Sequence, residues 1–289
     1  LASVEGEEFD LIHAHDWMTF PAGLRLREAL DRPLVSHVHA CEYDRAPEHP
    51  DAHILAVERA AFEGAERVVC VSRYTAEMLA SRYGCSQAKL RVVHNGVEPW
   101  PGAAHPPTAR TLHEPIVLFL GRLTAQKGPE LFLTAAEQVL RVEPRVKFVI
   151  SGEGELLPEL VERVARAGLA RAVHFTGFLG RVEVERMLSL ADIYVMPSLS
   201  EPFGLAPLEA AACGAAVILS SRSGVAEVLK SALRFDPGDV DGLARRILLL
   251  LQRPMLRARL ARGARREVRC LSWARSAVLL ERVYTELAA

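Results

Sequence analysis

The chain has 289 residues, 50% of them hydrophobic and 25% charged, and its 35 basic and 36 acidic side chains leave a formal net charge of −1. This is the composition of an ordinary globular chain of about two domains, with no global field to draw it toward nucleic acid or an anionic membrane. The longest uncharged apolar run, residues 210–220, is shorter than the ~20 residues a spanning helix needs, and five cysteines without a C-x-x-C pair argue against a disulfide framework or zinc knuckle and for a reducing, cytoplasmic setting.

From the N-terminus, short β-branched runs alternate with helix-period segments, the sequence form of a parallel sheet covered by helices. Strands are predicted at 10–13, 34–38, 67–71 and 90–93, and helices at 20–30, 52–64 and 74–83. Residues 98–107 then hold four prolines and a glycine, followed by polar residues to Glu114. Proline cannot donate a backbone hydrogen bond, so this stretch reads as a linker. A second alternation follows, with strands at 116–120, 146–151, 173–175, 193–196, 216–219 and 232–235 and helices at 129–141, 156–167, 182–190, 207–213 and 225–229. Helices at 239–251, 254–268 and 272–286 close the chain. The expected organisation is a partial N-terminal domain over 1–105, a complete doubly wound domain over 106–270, and a C-terminal helix over 271–289 packing back toward the first domain. The first domain has four predicted strands and no glycine-rich opening turn, so it is expected to be cut short.

Open α/β sheets bind ligands beyond the C-terminal ends of their strands. Three such loops carry candidate chemistry. The first runs from Gly121 to Pro129 and holds Arg122, Lys127 and Gly128 immediately before a helix. Glycines allow close backbone approach, and two cations suit a diphosphate; the plainer alternative is a solvated loop. The second contains Ser198, Glu201, Pro202, Phe203, Gly204, Leu205 and Glu209. Amides of Phe203, Gly204 and Leu205 lie where a helix begins, a place for phosphate or sugar oxygens. Glu201 and Glu209 are too far apart along a helix, roughly 12 Å, to act as a glycosidase pair, and read as grips on two parts of one long ligand. Equally, Glu209 could offset a helix dipole and Glu201 could be a solvated turn acid. The third carries His13 and His15 with His37 and His39, two H-x-H pairs whose members share a strand face. Such pairs ligate zinc in some hydrolases, but no further ligands come from later strand ends. A ligand-facing histidine is the preferred reading, with a buried, hydrogen-bonded core role as the alternative for His13 and His37. Turns at 151–154 and at 223–227, the latter with Glu227, are less specific.

In order along the chain, the motifs I-H-A-H-D-W at 12–17, V-H-A-C-E-Y-D-R at 38–45, V-H-N-G-V at 93–97, L-G-R-L at 120–123 with Lys127 and Gly128, V-H-F-T-G-F at 173–178, A-D-I-Y-V-M-P-S at 191–198, E-P-F-G at 201–204 with Glu209, and Ser272-Trp273 resemble glycosyltransferase family 4, the retaining GT-B enzymes. Serine before Gly224, where the family usually has glycine, is similar to a glycogen synthase-like subgroup. The resemblance implies a GT-B fold, two Rossmann-like doubly wound domains facing a cleft, the first of them incomplete here. It implies that Arg122 and Lys127 bind and stabilise the donor diphosphate, Glu201 holds sugar hydroxyls, Gly121 and the amides of Phe203, Gly204 and Leu205 contact the donor, Glu209 bonds the ribose, and His15 reaches the sugar from the other domain. The implied reaction transfers a hexose, expected to be glucose, from an ADP-, UDP- or GDP-sugar to a glucan or other hydroxyl acceptor, with no cofactor and no metal required. Alternatives are a mannosyl- or other hexosyltransferase of surface polysaccharide synthesis and a non-catalytic nucleotide-sugar-binding fragment. Neither a nucleic-acid partner nor an integral membrane segment is expected.

Overall fold

The computed structural model describes residues 9–98 and 113–288, so most of the proline-rich stretch read as a linker lies outside the described residues. The chain divides into two compact units, Leu1–Gly96 with Ser272–Ala289, and Val97–Leu271.

The first unit has a four-stranded, all-parallel sheet in the order β1 (Ile12–His15), β2 (Leu34–Val38), β3 (Arg67–Cys70) and β4 (Leu90–Val92). Its helices are α1 (Asp16–Leu30), α2 (Glu42–Arg45), α3 (Ala52–Gly64), α4 (Arg73–Tyr83) and α11 (Trp273–Ala288). Ser72 caps α4 by accepting from the Thr75 amide, and Gly84 ends it at φ 68°, so this helix carries its own start and stop signals. One sheet face packs on Phe20, Phe62 and Leu79; on the other, Val283 of α11 meets Val35, Val69 and Val93.

Two boundaries differ from the sequence reading. β1 starts two residues later than predicted and α1 begins directly after it, at Asp16 rather than residue 20. Asp16 holds φ 57° while its carboxylate accepts from the His39 amide at 2.8 Å, fixing the abrupt strand-to-helix turn. α2 was not predicted, because a single turn has no periodicity to read. It is held by buried Glu58, which accepts from the Glu42 amide, from Arg45 at 3.0 Å and from the Tyr83 hydroxyl.

The second unit has six parallel strands: β5 (Ile116–Leu120), β6 (Lys147–Ser151), β7 (Val173–Gly177), β8 (Ile193–Met196), β9 (Ala216–Ser220) and β10 (Leu233–Phe235). Their spatial order is β10-β9-β8-β5-β6-β7. The chain builds outward from β5 to β7, then returns to lay β8 on the other side of β5. That reversal is the topological switch point of a doubly wound sheet, where the loops after β5 and β8 part and leave a crevice. The covering helices are α5 (Pro129–Leu140), α6 (Leu157–Arg166), α7 (Arg181–Leu190), α8 (Ala206–Cys213), α9 (Val240–Gln252) and α10 (Pro254–Val268). Near-continuous apolar strands such as Ile116–Leu120 are what a sheet buried on both faces requires, and Phe132, Phe148 and Ile150 are completely buried in its core. Predicted strands and helices here fall within one or two residues of those observed, except that 225–229 is a 3₁₀ turn over Gly224–Glu227.

Candidate functional site

A cavity of about 210 Å³ opens at this switch point, lined among others by Gly121, Lys127, Ser198, Glu201, Gly204 and Leu205. The two loops that form it are tied together. The Leu199 amide donates to the Gln126 carbonyl at 2.8 Å, and the Gln126 side chain donates to the Ser200 carbonyl at 3.2 Å. This brings the Lys127 ammonium to 2.6 Å from the Glu201 carboxylate, which also accepts from Ser198 Oγ at 3.3 Å. Gly128, at φ 68°, makes the turn into α5 so close to the Pro197 carbonyl that a Cβ would lie 2.5 Å from that oxygen. Only glycine fits there.

A third loop supports Glu201 from the other side. Its amide donates to the Arg222 carbonyl at 3.0 Å, and its carbonyl accepts from Gly224 at 2.9 Å. Glu201 and Ser223 thus form a parallel bridge that joins the loops after β8 and β9. Beneath them, completely buried Tyr194 donates its hydroxyl to the Leu120 carbonyl at 3.3 Å, next to Gly121. Burial, with Glu201 and Glu209 nearby, pushes that phenol well above its ordinary value and keeps it protonated.

Of the sequence-predicted residues, Gly121, Lys127, Glu201, Gly204 and Leu205 line the cavity together. Arg122 is exposed in the same loop and does not line it. Phe203 is buried, with its carbonyl accepting from the Val225 amide, so its ring is core rather than site lining. Glu209 lies in the first turn of α8, outside the cavity lining. Burial raises its carboxyl above the ordinary value, partly offset by Arg181. Gln126, Ser198 and Tyr194 went unassigned in the sequence reading. Each acts through backbone or through a neighbour across the switch point, which has no local sequence signal.

In the first unit the four histidines do come together. β1 and β2 pair with His15 opposite His37, and all four rings stack, His13 and His37 with planes 1° apart. His15 Nδ1 lies 2.9 Å from His39 Nε2, and His13 Nδ1 bonds the Tyr284 hydroxyl at 2.6 Å. Burial lowers the His13 imidazole to about 4 and His37 to about 2, the other rings adding to the shift. Nitrogens of His13, His15 and His37 lie within 4.8 Å of one another. Their ring planes lie between 1° and 30° apart.

The family model for glycosyl transferases group 1 matches residues 103–267, and that for glycosyltransferase family 4 matches residues 2–100. With its switch-point cavity and paired loops, the chain belongs to the glycosyl transferases group 1 family. It is 30% identical to the glycogen synthase of Mycobacterium tuberculosis over 95% of this chain and 68% of that protein. It is also 30% identical to the D-inositol 3-phosphate glycosyltransferase of Salinispora arenicola, over 100% of this chain and 71% of the relative. Against an uncharacterized glycosyltransferase of Methanocaldococcus jannaschii, at 31% identity, the match covers only 60% of the relative's length. Among solved structures, the sucrose-phosphate synthase of Thermosynechococcus elongatus superposes with a TM-score of 0.85 at 26% identity, covering 99% of this chain and 75% of that one. Anabaena HepE, crystallised with UDP and glucose, superposes at 0.80 with 22% identity, covering 97% and 78%.

Proposed function

We propose that the second unit binds a nucleoside diphosphate sugar, and that the protein transfers its hexose, glucose in the favoured reading, to a glucan or other hydroxyl acceptor with retention. The observation that carries this reading is the Lys127–Glu201 pair held by three loops at the switch point. A half-buried pair of this kind is poised to be split by a ligand that has an anionic end and a hydroxylated end. Lys127, joined by Arg122 from the exposed part of its loop, would then face the diphosphate, and Glu201 would accept from sugar hydroxyls. As the bond from the anomeric carbon to the phosphate oxygen breaks, negative charge grows on the leaving diphosphate where the two cations stabilise it. The acceptor oxygen bonds to the same face of that carbon, and its proton passes to the departing phosphate. No nucleophilic side chain is needed.

Glu209 and the segment after β7 complete the donor reading. The Phe178 ring, 75% exposed, follows β7, and Arg181 opens α7 within electrostatic reach of Glu209. We assign Glu209 to the ribose and the 177–181 segment to the base. Similarity to a D-inositol 3-phosphate glycosyltransferase as well as to a glycogen synthase favours a second reading of the acceptor, as a small phosphorylated polyol.

The test is calorimetry of the chain with UDP, ADP and GDP and with their glucose conjugates. Saturable binding of one diphosphate, tightened by its sugar and lost in Lys127→Ala, is expected. Absence of binding to all of them would overturn the donor assignment.

A further inference from the structure

The net charge of −1 conceals an uneven distribution. Between residues 253 and 269 stand seven arginines and one glutamate. α10 sorts them by face. Arg257 turns inward to Asp192 at 3.3 Å, and Glu267 bonds the Ser231 amide and hydroxyl at 3.1 and 2.7 Å. Ala261, Gly263, Ala264 and Val268 are buried. What remains outward is Met255, Arg259, Arg262, Arg266 and Arg269, all exposed. Their steps of four, three, four and three residues place them in one row over about 21 Å of helix.

Among the described residues none of these four arginines makes an ion pair. The acids of neighbouring α9 are engaged elsewhere, Asp239 with Arg245 and Asp241 with Gln138. Like charges three and four residues apart weaken an isolated helix, so in the free protein this row works against the helix that bears it. An anionic surface would reverse the sign of that contribution.

We propose that the outward row of α10 is an electrostatic docking surface for an anionic phospholipid membrane. Guanidinium groups bind phosphate in a bidentate manner, and a straight row on one convex helix matches a plane of headgroups. A helix whose apolar face is already buried in its own domain cannot roll into the lipid, so the attachment is peripheral and driven by charge. Met255, 80% exposed at one end of the row, is the single apolar side chain placed to enter the interface. Single-stranded nucleic acid is disfavoured as occupant, because α10 has no aromatic side chain on which bases could stack.

Vesicle co-sedimentation of the whole chain tests this. Binding should be absent on pure phosphatidylcholine, rise steeply with phosphatidylglycerol up to about 40%, and fall as salt rises from about 0.05 to 0.5 M. Each arginine removed should weaken partitioning about fivefold, so Arg259→Gln with Arg262→Gln, and separately Arg266→Gln with Arg269→Gln, should each lose about 25-fold. Arg141→Gln with Arg171→Gln, exposed elsewhere on the same unit, should lose less than about twofold. Unaltered thermal melting of each variant shows that the row, not the fold, was changed. Equal binding to neutral vesicles, no binding at all, or equal losses in the control pair would overturn the proposal. So would retention on double-stranded DNA that exceeds retention on anionic vesicles.

Discussion

Two parallel sheets covered by helices, built from one chain, treat the ends of their strands in opposite ways. In the second unit the strand order reverses between β5 and β8, and the loops that part there hold a cation and a carboxylate against each other. In the first unit the described strands run β1-β2-β3-β4 without reversal, and the adjacent ends of β1 and β2 fill the space with four stacked imidazoles, of which His13, His15 and His37 are lowered from the ordinary value by burial and by neighbouring rings. The layering is shared. The strand ends that part at the reversal open into a charged crevice, and those that lie side by side without one carry the imidazole stack.

The contrast breaks most visibly at Lys127. Lys127→Ala leaves Glu201 largely buried without its cation and, in the proposed reaction, removes a charge from the leaving group. A loss of about 2–4 kcal/mol in transition-state stabilisation is expected, or about 30- to 1000-fold in kcat/KM. Arg122→Ala should act in the same direction. Steady-state kinetics that do not change in either variant would remove these cations from the phosphate site.

The two acids sharpen it next. Glu201→Gln should cut transfer about 10- to 100-fold while plain nucleoside diphosphate binds nearly as before, because its proposed partner is the sugar. Glu209→Ala should weaken the nucleoside diphosphate itself by a similar factor. Calorimetry separates them: if both variants lose the diphosphate equally, the division of the ligand between the two acids fails.

For the first unit the lever is pH. His13 and His37 stay neutral in the fold but take up protons in the unfolded chain below about pH 6.5. The unfolded state therefore binds more protons as pH falls from 6.5 toward about 4 for His13 and about 2 for His37, and the native unit loses stability through that window. At pH 5 the cost is about 2 kcal/mol for His37. Glu58 works the other way, since burial raises its carboxyl and favours the native unit as pH drops toward its unfolded value. A variant is a better probe than an absolute slope: His37→Phe keeps a stacked ring but cannot titrate, so its melting temperature should fall less between pH 7 and pH 5. Parallel pH dependences for variant and parent would show that the stack does not govern acid stability.

Much of the second unit was legible in the sequence because its strands are continuous apolar runs and its helices carry strong start signals, such as Pro129 after Gly128. The candidate loops were legible because glycine, proline and charge concentrate at strand ends. The support beneath them was not. Tyr194 reads as one more apolar residue of β8, and its hydroxyl matters only because β5 returns beside β8 from 74 residues earlier. The bridge from Glu201 to Ser223 is likewise set by the pairing of β8 with β9. Phe203 divides its parts: the motif offers its backbone amide to a ligand, and its ring is buried in the core. Net charge is silent for another reason, because a sum over the chain cannot report which arginines share one face of α10.

The smallest expected effect concerns the attachment of α11 in the first unit. Glu286 accepts from Arg67 at 2.9 Å and from Arg91 at 2.7 Å, and those two guanidinium groups hold its carboxyl down to about 2. A carboxylate lowered in the fold contributes stability that is present above its unfolded value and is lost as pH falls through the folded one, below the window in which His13 begins to matter. The cluster is open to solvent, however, and exposed pairs gain little because water and salt screen them. The helix is held chiefly by Val283 packed on Val35, Val69 and Val93. Glu286→Gln should accordingly lower the melting temperature at pH 7 by less than Val283→Ala does, and raising salt to about 1 M, where the Debye length is ~3 Å, should erase the difference between Glu286→Gln and the parent. If Glu286→Gln proves the more damaging of the two, or its effect persists at high salt, then charge and not apolar contact fastens α11 to its sheet.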